Sequence, residues 1–360
     1  MRNFELMKGN EAIAEAALRA GCRFYAGYPI TPQSEILEYM SKNMEKYGGV
    51  FIQGENEVAS ISMLWGAAAA GARCMTSSSG PGYDLKQEGI SYLSSYHIPA
   101  VIVDAMRFGT GDGEITAGQD SYNLAVRGGG HGDSRQIVLA PASVNECASL
   151  TYKAFDLAEK YRNVVIILTD GAISQLVEKC ILPEAKEHNI DKFDWTITGK
   201  SRNSIKNRIT NLDRSIGFDA ADEFYINKTK KIYNNEQRWE EVNLENADLI
   251  LVAYGISSRV SKSAIELAKK EGINLGLIRP ISVWPFPNKA FVEAKIKNAK
   301  GIVTVEMALI QQMALDVKIA SENRKPLYSY LTGRNIPSPE GIVNYCKEIF
   351  EGKIKEVEVY

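Results

Sequence analysis

One short stretch near residue 55 places a carboxylate where a cofactor could use it. Residues 51–82 read FIQGENEVASISMLWGAAAAGARCMTSSSGPG: an apolar strand pattern, a helix of small and apolar residues, and a Ser/Gly/Pro loop. Glu57 lies in the first turn of that helix, where a carboxylate complements the helix dipole by about 0.3–1 kcal/mol. The pattern also predicts that the helix is fully buried, and burial favours a protonated carboxyl group able to exchange protons near neutral pH. Helix stabilisation and cofactor chemistry are both open interpretations of Glu57.

A second candidate is Thr31, within the stretch GYPITPQ at residues 27–33. The two prolines restrict the backbone, so that Thr31 is presented from a rigid loop directly after a predicted strand. In an open parallel sheet, ligands bind at this carboxyl edge of the strands. The alternative is that Thr31 only caps a helix over residues 33–43, a role that threonine often has.

Two further loops follow strands in the same way. TSSSGPG at residues 76–82 contains small residues that allow backbone N–H groups to approach a ligand. Arg107 precedes the glycine-rich segment FGTGDG at residues 108–113, and its guanidinium group suits a carboxylate or a phosphate. Gly111-Asp112-Gly113 matches the first half of a thiamine diphosphate and Mg²⁺ motif. The asparagine that completes such a motif is missing from QIVLAP at residues 136–141.

The elements that must position these residues alternate between strand and helix. Such alternation predicts a mostly parallel sheet with helices on both faces, and apolar runs such as VIVDA and VVIILTD fit strands buried on both sides. The predicted strands are Cys22–Tyr25, Val50–Gln53, Arg73–Thr76, Ala100–Asp104, Gln136–Ala140 and Val164–Thr169. The predicted helices are Thr31–Asn43, Glu57–Ala70, Leu85–Tyr96 and Val144–Tyr161.

The alternation of strand and helix patterns stops near residue 184 and resumes near residue 247. This predicts three regions: a domain over 1–183, a linker or crossing arm over 184–246, and a second α/β domain over 247–360. The middle region is polar, with a helix predicted over Lys228–Val242. It also contains a basic run formed by Lys200, Arg202, Lys206 and Arg208. The default interpretation of this run is a solvated surface, and a phosphate-binding site is the alternative.

Composition excludes several classes of protein. The 360 residues contain 42 basic and 44 acidic side chains, and this balance does not indicate a nucleic-acid-binding protein. The first 18 residues alternate like an amphipathic helix, and no apolar run reaches 18 residues, so we expect a cytoplasmic protein with neither a signal peptide nor a membrane span. No two of the five cysteines lie within 30 residues of each other. We therefore expect buried thiols and no metal or iron–sulfur site in this chain.

Four motifs taken together resemble one enzyme family: GYPITPQ, GENEVASISMLWGAAAAGAR, TSSSGPG and VDAMRFGTGDGEITAGQD. In this order they are similar to the α subunit of the 2-oxoacid:ferredoxin oxidoreductases, in particular the branched-chain 2-oxoisovalerate (3-methyl-2-oxobutanoate) group. The resemblance continues in GLIRPISVWPFP and GIVTVEMALIQQM and is loose over residues 184–246. It implies a pyrimidine-type thiamine-diphosphate-binding domain followed by a domain like the transketolase C-terminal domain.

The resemblance also implies roles for the candidate residues. A glutamate at the position of Glu57 hydrogen-bonds N1′ of the aminopyrimidine ring and so promotes loss of the proton from thiazolium C2. Thr31 would bind the 2-oxoacid near its carboxylate or carbonyl, and Arg107 would pair with the substrate carboxylate or with coenzyme A. The remaining residues implied to lie at the cofactor are Tyr28, Pro29, Ile30, Ser79, Gly80 and Pro81.

Because the chain has neither the complete Mg²⁺ motif nor cluster cysteines, the resemblance implies that partners supply both. A β subunit would hold the diphosphate and Mg²⁺, a ferredoxin-like subunit would carry iron–sulfur clusters, and a γ subunit would join them. The implied reaction is coenzyme A-dependent oxidative decarboxylation of a 2-oxoacid, with electrons passed to external ferredoxin. 2-Oxoglutarate and pyruvate stay open as substrates, Arg127 being a candidate second cation for the former. A standalone thiamine enzyme and a non-catalytic assembly subunit are the rival hypotheses.

Overall fold

Two largely parallel sheets and a short antiparallel pair organise the computed structural model, which describes residues 4–109, 112–188, 193, 195–197 and 216–359. The basic run at residues 200–208 lies outside the described residues. The strands up to residue 180 are β1 Glu5–Lys8, β2 Phe24–Gly27, β3 Val50–Gln53, β4 Cys74–Ser78, β5 Ala100–Met106, β6 Ile137–Leu139, β7 Val164–Asp170 and β8 Val177–Cys180. Those that follow are β9 Trp239–Val242, β10 Leu249–Val252, β11 Leu275–Pro280, β12 Ser282–Trp284, β13 Gly301–Glu306 and β14 Leu327–Leu331.

Helices separate most of these strands. Those up to residue 180 are α1 Gly9–Arg19, α2 Ser34–Asn43, α3 Glu57–Ala69, α4 Pro81–Leu85, α5 Gln87–Ser95, α6 Tyr122–Arg127, α7 Val144–Tyr161 and α8 Gly171–Gln175. Those that follow are α9 Phe218–Asn235, α10 Gly255–Lys270, α11 Glu293–Ile296, α12 Ala314–Ala320 and α13 Pro339–Phe350. Short 3₁₀ turns occupy Met44–Tyr47 and Asn288–Phe291.

The first sheet contains seven strands in the order β12-β6-β7-β5-β4-β2-β3. Strands β2 to β7 are parallel, and β12 is added antiparallel to β6 at one edge. All seven residues of both β5 and β7 are buried, which agrees with the apolar runs in the sequence. The carboxyl ends of β2, β4 and β5 are therefore neighbours, and the loops that follow them meet at one edge.

The second sheet has the order β14-β13-β10-β11-β9, parallel except for β9. The first sheet packs α1, α2 and α7 on one face through residues such as Val101 and Val165. Its other face, with Ile102 and Ile166, joins a continuous core with α3, α5 and one face of the second sheet. The two sheets consequently share a hydrophobic interior, and the expected α/β class is confirmed.

Two predicted elements differ from the structure. Residues 5–8 form strand β1, paired antiparallel with β8, so the amphipathic helix predicted at the N-terminus begins only at Gly9. The helix predicted over Lys228–Val242 is wrong in its second half, because α9 ends at Asn235 and β9 pairs with β11. In both cases a strand forms because a partner distant in sequence satisfies its backbone, which local pattern does not reveal.

Candidate active site

The carboxyl group of Glu57 lies against the backbone of a glycine. Glu57 is the first residue of α3 and is 4% exposed, while the side chain of Asn56 caps the helix by accepting from Ala59 N at 2.8 Å. A Cβ atom added at Gly82 would lie 2.2 Å from Glu57 Oε1 and 2.3 Å from Ser78 Oγ. Gly82 thus lets three elements, α3, β4 and α4, close on the carboxyl group. Glu55, two residues earlier, is exposed.

A fully buried lysine follows Gly82 by four residues. Lys86 follows α4, is 0% exposed, and donates from Nζ to Thr76 Oγ1 at 3.0 Å. Burial lowers the pKa of Lys86 to about 7, and the charge of Glu57 acts in the opposite direction. Sequence analysis missed Lys86, because a lysine within a helical pattern normally lies on the solvated face.

Arg107 and Thr31 are in contact near Gly80, two residues before Gly82. Arg107 is 8% exposed and donates from Nη1 to the carbonyl oxygen of Thr31 at 3.1 Å. A Cβ atom at Gly80 would lie 2.9 Å from Arg107 Nε. Gly80 also has φ +49°, a backbone conformation that favours glycine. The segment from Gly80 to Gly82 therefore has Arg107 at one end and Glu57 at the other.

Hydrogen bonds from Gln33 stabilise the loop that contains Thr31. Gln33 is fully buried, and its Nε2 donates to the carbonyl oxygen of Tyr28 at 3.0 Å. Its backbone N–H donates to the carbonyl oxygen of Ile30 at 3.0 Å, and Ser77 Oγ donates to its Oε1. The alternative role of Thr31 as a helix cap is wrong, because α2 begins at Ser34 and Gln33 holds the cap position. Thr31 is exposed, as are Tyr28 and Pro29.

Two buried hydroxyl groups at this edge, those of Ser78 and Ser79, have no hydrogen-bond partner among the described residues. Burial raises the pKa of Asp104 to about 8, with Ser121 acting in the opposite direction. Since buried polar groups almost always have partners, such a group of orphaned atoms indicates a place for a polar ligand.

The helix that begins at Glu57 is not fully buried, which corrects the sequence prediction. Its residues Ile61, Leu64 and Ala68 are buried, but Val58 is 44% exposed and Met63 is 38% exposed. A Cβ atom at Gly66 would have nothing within 4 Å. One side of α3, with the residue that follows it, thus presents an exposed and mostly apolar surface, which we call the α3 face; its members are Val58, Ser62, Met63, Gly66 and Ala70.

Comparisons of the sequence and the fold with known proteins show which family this chain belongs to. Residues 15–249 match the family described as pyruvate flavodoxin/ferredoxin oxidoreductase, thiamine diphosphate binding, and residues 247–339 match pyruvate:ferredoxin oxidoreductase core domain II. The chain is 45% identical over 349 residues to ketoisovalerate oxidoreductase subunit VorB of Methanothermobacter thermautotrophicus, covering 96% of this chain and 97% of that protein. This chain belongs to the 2-oxoacid:ferredoxin oxidoreductase family. The resemblance read from the four motifs is confirmed.

More distant members of the 2-oxoacid:ferredoxin oxidoreductase family also match. The 2-oxoglutarate synthase subunit KorA of Methanocaldococcus jannaschii is 37% identical over 331 residues, covering 85% of this chain and 89% of that protein. A solved 2-oxoglutarate:ferredoxin oxidoreductase from Magnetococcus marinus, with 2-oxoglutarate, coenzyme A and succinyl-CoA bound, superposes with a TM-score of 0.85 at 26% identity. The match covers 96% of this chain and 65% of that one. A split-gene transketolase, with a TM-score of 0.56 at 14% identity, shares the fold.

The other predicted features of this family member can be located. All five cysteines are buried free thiols. Arg127 does not join Arg107; its Nη2 lies 3.0 Å from Asp316 Oδ2, in an ion pair with the second domain. Within the described ranges, no helix has the length and apolar character that crossing a bilayer requires.

Proposed function

We propose that this chain is the α subunit of a multi-subunit 2-oxoacid:ferredoxin oxidoreductase whose substrate is a branched-chain 2-oxoacid, 2-oxoisovalerate in particular. The reaction converts a 2-oxoacid and coenzyme A into an acyl-CoA and CO₂, and two ferredoxin molecules each accept one electron. The observation that carries the proposal is that Glu57 and Arg107 lie at the two ends of the segment from Gly80 to Gly82, with Thr31 bonded to Arg107, in a chain of this family.

The residues at this edge fit the aminopyrimidine half of thiamine diphosphate. The hydroxyl groups of Ser78 and Ser79, which lack partners among the described residues, provide hydrogen-bonding groups for a flat ring with donors and acceptors on its edge. Glu57 would hold the proton at the ring nitrogen. Residues 28–30 and 79–81 would border the ring. When bound, thiamine diphosphate supplies a nucleophilic carbon and an electron sink.

Arg107 and Thr31 are proposed to bind the substrate carboxylate. A buried guanidinium group is well suited to a carboxylate, since charge-assisted hydrogen bonds strengthen where water is excluded. Because Arg107 Nη1 donates to the carbonyl of Thr31, the guanidinium group is oriented toward the exposed Thr31 side of the loop. Coenzyme A is the alternative ligand of Arg107.

Two observations support a branched-chain acid over 2-oxoglutarate. Identity is 45% to a ketoisovalerate oxidoreductase subunit and 37% to a 2-oxoglutarate synthase subunit. A second cation for the distal carboxylate of 2-oxoglutarate would need a free charge, and Arg127 is paired with Asp316. Arg334, which lies over the Phe108 ring, has Glu114 at 3.5 Å.

Partners are proposed to complete the enzyme. Among the described residues, no group of histidine, cysteine and acidic side chains could hold a metal ion. We propose that a β subunit supplies the diphosphate and Mg²⁺ site, and that it docks on the α3 face, next to Glu57. A γ subunit and a ferredoxin-like subunit with iron–sulfur clusters would pass electrons to external ferredoxin.

The experiment is anaerobic purification of the complex through this chain, followed by assay of coenzyme A-dependent ferredoxin reduction. We expect activity with 2-oxoisovalerate to exceed that with 2-oxoglutarate and pyruvate. Glu57→Gln should lower kcat by about 10²-fold or more, in line with the effects of removing a general acid–base group. Glu55→Gln, two residues away and exposed, is the matched control. Full activity of Glu57→Gln would refute the role of Glu57, and recovery of the chain alone without thiamine diphosphate would refute the catalytic assignment.

A further inference from the structure

Gln119, the penultimate residue of the motif VDAMRFGTGDGEITAGQD, has no part in the function proposed so far. It is completely buried, and its backbone N–H donates to the carbonyl oxygen of Met307 at 2.8 Å. Its Oε1 accepts from Met307 N at 3.1 Å and from Ser257 Oγ at 3.0 Å. Its Nε2 donates to the carbonyl oxygen of Tyr254 at 3.1 Å. Four hydrogen bonds therefore join the end of this motif to the second domain.

The residues directly before Gln119 pack against Arg107 and its neighbour. Arg107 and Ala117 form an antiparallel bridge between the two segments. A Cβ atom added at Gly118 would lie 2.6 Å from Phe108 Cα, so the two backbones are in direct contact there. Because close-packed segments transmit a displacement rather than absorb it, a shift of Gln119 is expected to move the backbone of Arg107.

A second contact between the domains supports the loop that contains Thr31. Asp170, the last residue of β7, is fully buried, and its Oδ2 accepts from Ile256 N of α10 at 2.8 Å. A Cβ atom at Gly171, the next residue, would lie 3.2 Å from Pro32 Cγ. The second domain thus contacts the supports of both residues that are proposed to bind the substrate carboxylate.

We propose that Gln119 is a positioning residue that acts through Arg107, so that the second domain sets the position of the guanidinium group beside Thr31. A guanidinium group binds a carboxylate through hydrogen bonds of defined geometry, and its placement therefore affects affinity. This inference rests on the proposed function and adds to it a role of the second domain in substrate binding. The alternative is that Gln119 only stabilises the contact between the domains.

The test is steady-state kinetics of the assembled complex with Gln119→Met, which keeps the length of the side chain and removes its hydrogen bonds. We expect KM for 2-oxoisovalerate to rise about 10-fold, the scale of weakening one charge-assisted hydrogen bond. KM for coenzyme A and the dissociation constant of thiamine diphosphate should stay unchanged. A selective rise in one KM is a result that a merely structural role would not produce. A wild-type KM for 2-oxoisovalerate would overturn the inference.

A double-mutant cycle with Arg107→Met tests whether Gln119 acts through the guanidinium group. In the Arg107→Met background, Gln119→Met should cause no further rise in KM, because the group that it positions is absent. Equal rises in both backgrounds would overturn the inference while the proposed function stands. If Arg107→Met alone leaves KM for 2-oxoisovalerate unchanged, the proposed role of Arg107 is wrong, and the inference about Gln119 fails with it.

Gln312→Met is the matched control. Gln312 of the second domain is also buried, and its Oε1 accepts from Asn123 N of α6, in the first domain, at 3.4 Å. This contact joins the domains at α6 rather than beside Arg107, so its loss should leave KM for 2-oxoisovalerate in place. A rise equal to that of Gln119→Met would mean that any loss at the domain contact has this effect, and would overturn the specific role of Gln119.

A milder variant covers the case in which Gln119→Met does not fold. Ser257→Ala removes one hydrogen bond from the second domain to Gln119 Oε1 and leaves Gln119 itself unchanged. KM for 2-oxoisovalerate should rise by about 2–5-fold, as for the loss of one neutral hydrogen bond. A folded Ser257→Ala complex with the wild-type KM would overturn the inference.

Discussion

Substituting Gly82 with alanine provides a direct measure of how closely Glu57 is held. The added Cβ would lie 2.2 Å from Glu57 Oε1 and 2.3 Å from Ser78 Oγ, whereas an ordinary van der Waals contact is 3.4–4 Å. Overpacking of this kind costs about 1–3 kcal/mol, while replacing glycine by alanine within a helix gains up to about 1 kcal/mol. We expect Gly82→Ala to lower the free energy of unfolding by about 1–2 kcal/mol and to weaken thiamine diphosphate binding in the complex at least 10-fold.

A double-mutant cycle assigns this cost to the proposed contacts. In a Glu57→Ala/Ser78→Ala background the added methyl group meets neither oxygen, so Gly82→Ala should cost nothing or stabilise the chain slightly. The coupling energy, measured by urea unfolding of the full chain, should be at least about 1 kcal/mol. Strictly additive effects would mean that Gly82 is not in contact with Glu57, and the geometry of the site would be wrong.

Three further predictions concern other parts of the molecule. Arg127→Met removes a part-exposed ion pair and should change the free energy of unfolding by under about 1 kcal/mol. The ratio of kcat/KM for 2-oxoisovalerate to that for 2-oxoglutarate should stay unchanged. A shifted ratio would place Arg127 in the substrate site. Burial raises the pKa of Glu306 from 4.5 to about 7, so the folded chain binds the proton more tightly and loses stability as pH rises between these values. The free energy of unfolding of the wild type should fall by about 3 kcal/mol more than that of Glu306→Gln between pH 4.5 and 7; parallel curves would contradict this. Gly66→Ala should stabilise the isolated chain by up to about 1 kcal/mol, because alanine favours a helix more than glycine does. The same variant should weaken subunit assembly, which analytical ultracentrifugation measures. Unchanged assembly would exclude the α3 face as the interface.

Sequence pattern predicted the elements that carry the site because these elements are defined locally. Strands β3, β5 and β7 are apolar runs, and helix α7 matches the predicted Val144–Tyr161. The candidate residues follow strands whose carboxyl ends are adjacent in a parallel sheet, which is why Thr31 and Arg107 are in contact despite their separation in sequence.

What pattern did not predict depends on contacts between distant segments. Strand β12 follows β11 of the second sheet in sequence but pairs with β6 of the first, and β1 pairs with β8. Lys86 is the most instructive case at the site. Nothing in its local sequence distinguishes it from a surface lysine, and its buried position depends on packing against another element, where its Nζ donates to Thr76 of β4.

The position of Glu57 on α3 connects the chemistry of the site with assembly. Glu57 is buried at the first turn, and Val58, the next residue, begins the exposed α3 face. A β subunit docked on that face would lie within one helical turn of the carboxyl group, so the proposed cofactor site and the proposed interface would share one helix. Ligand binding and assembly are then thermodynamically coupled, and coupling is reciprocal: a cofactor that bridges both subunits tightens their association by the same factor by which assembly tightens cofactor binding. Thiamine diphosphate should therefore lower the dissociation constant of the complex, and Glu57→Gln should reduce that effect while leaving cofactor-free assembly intact.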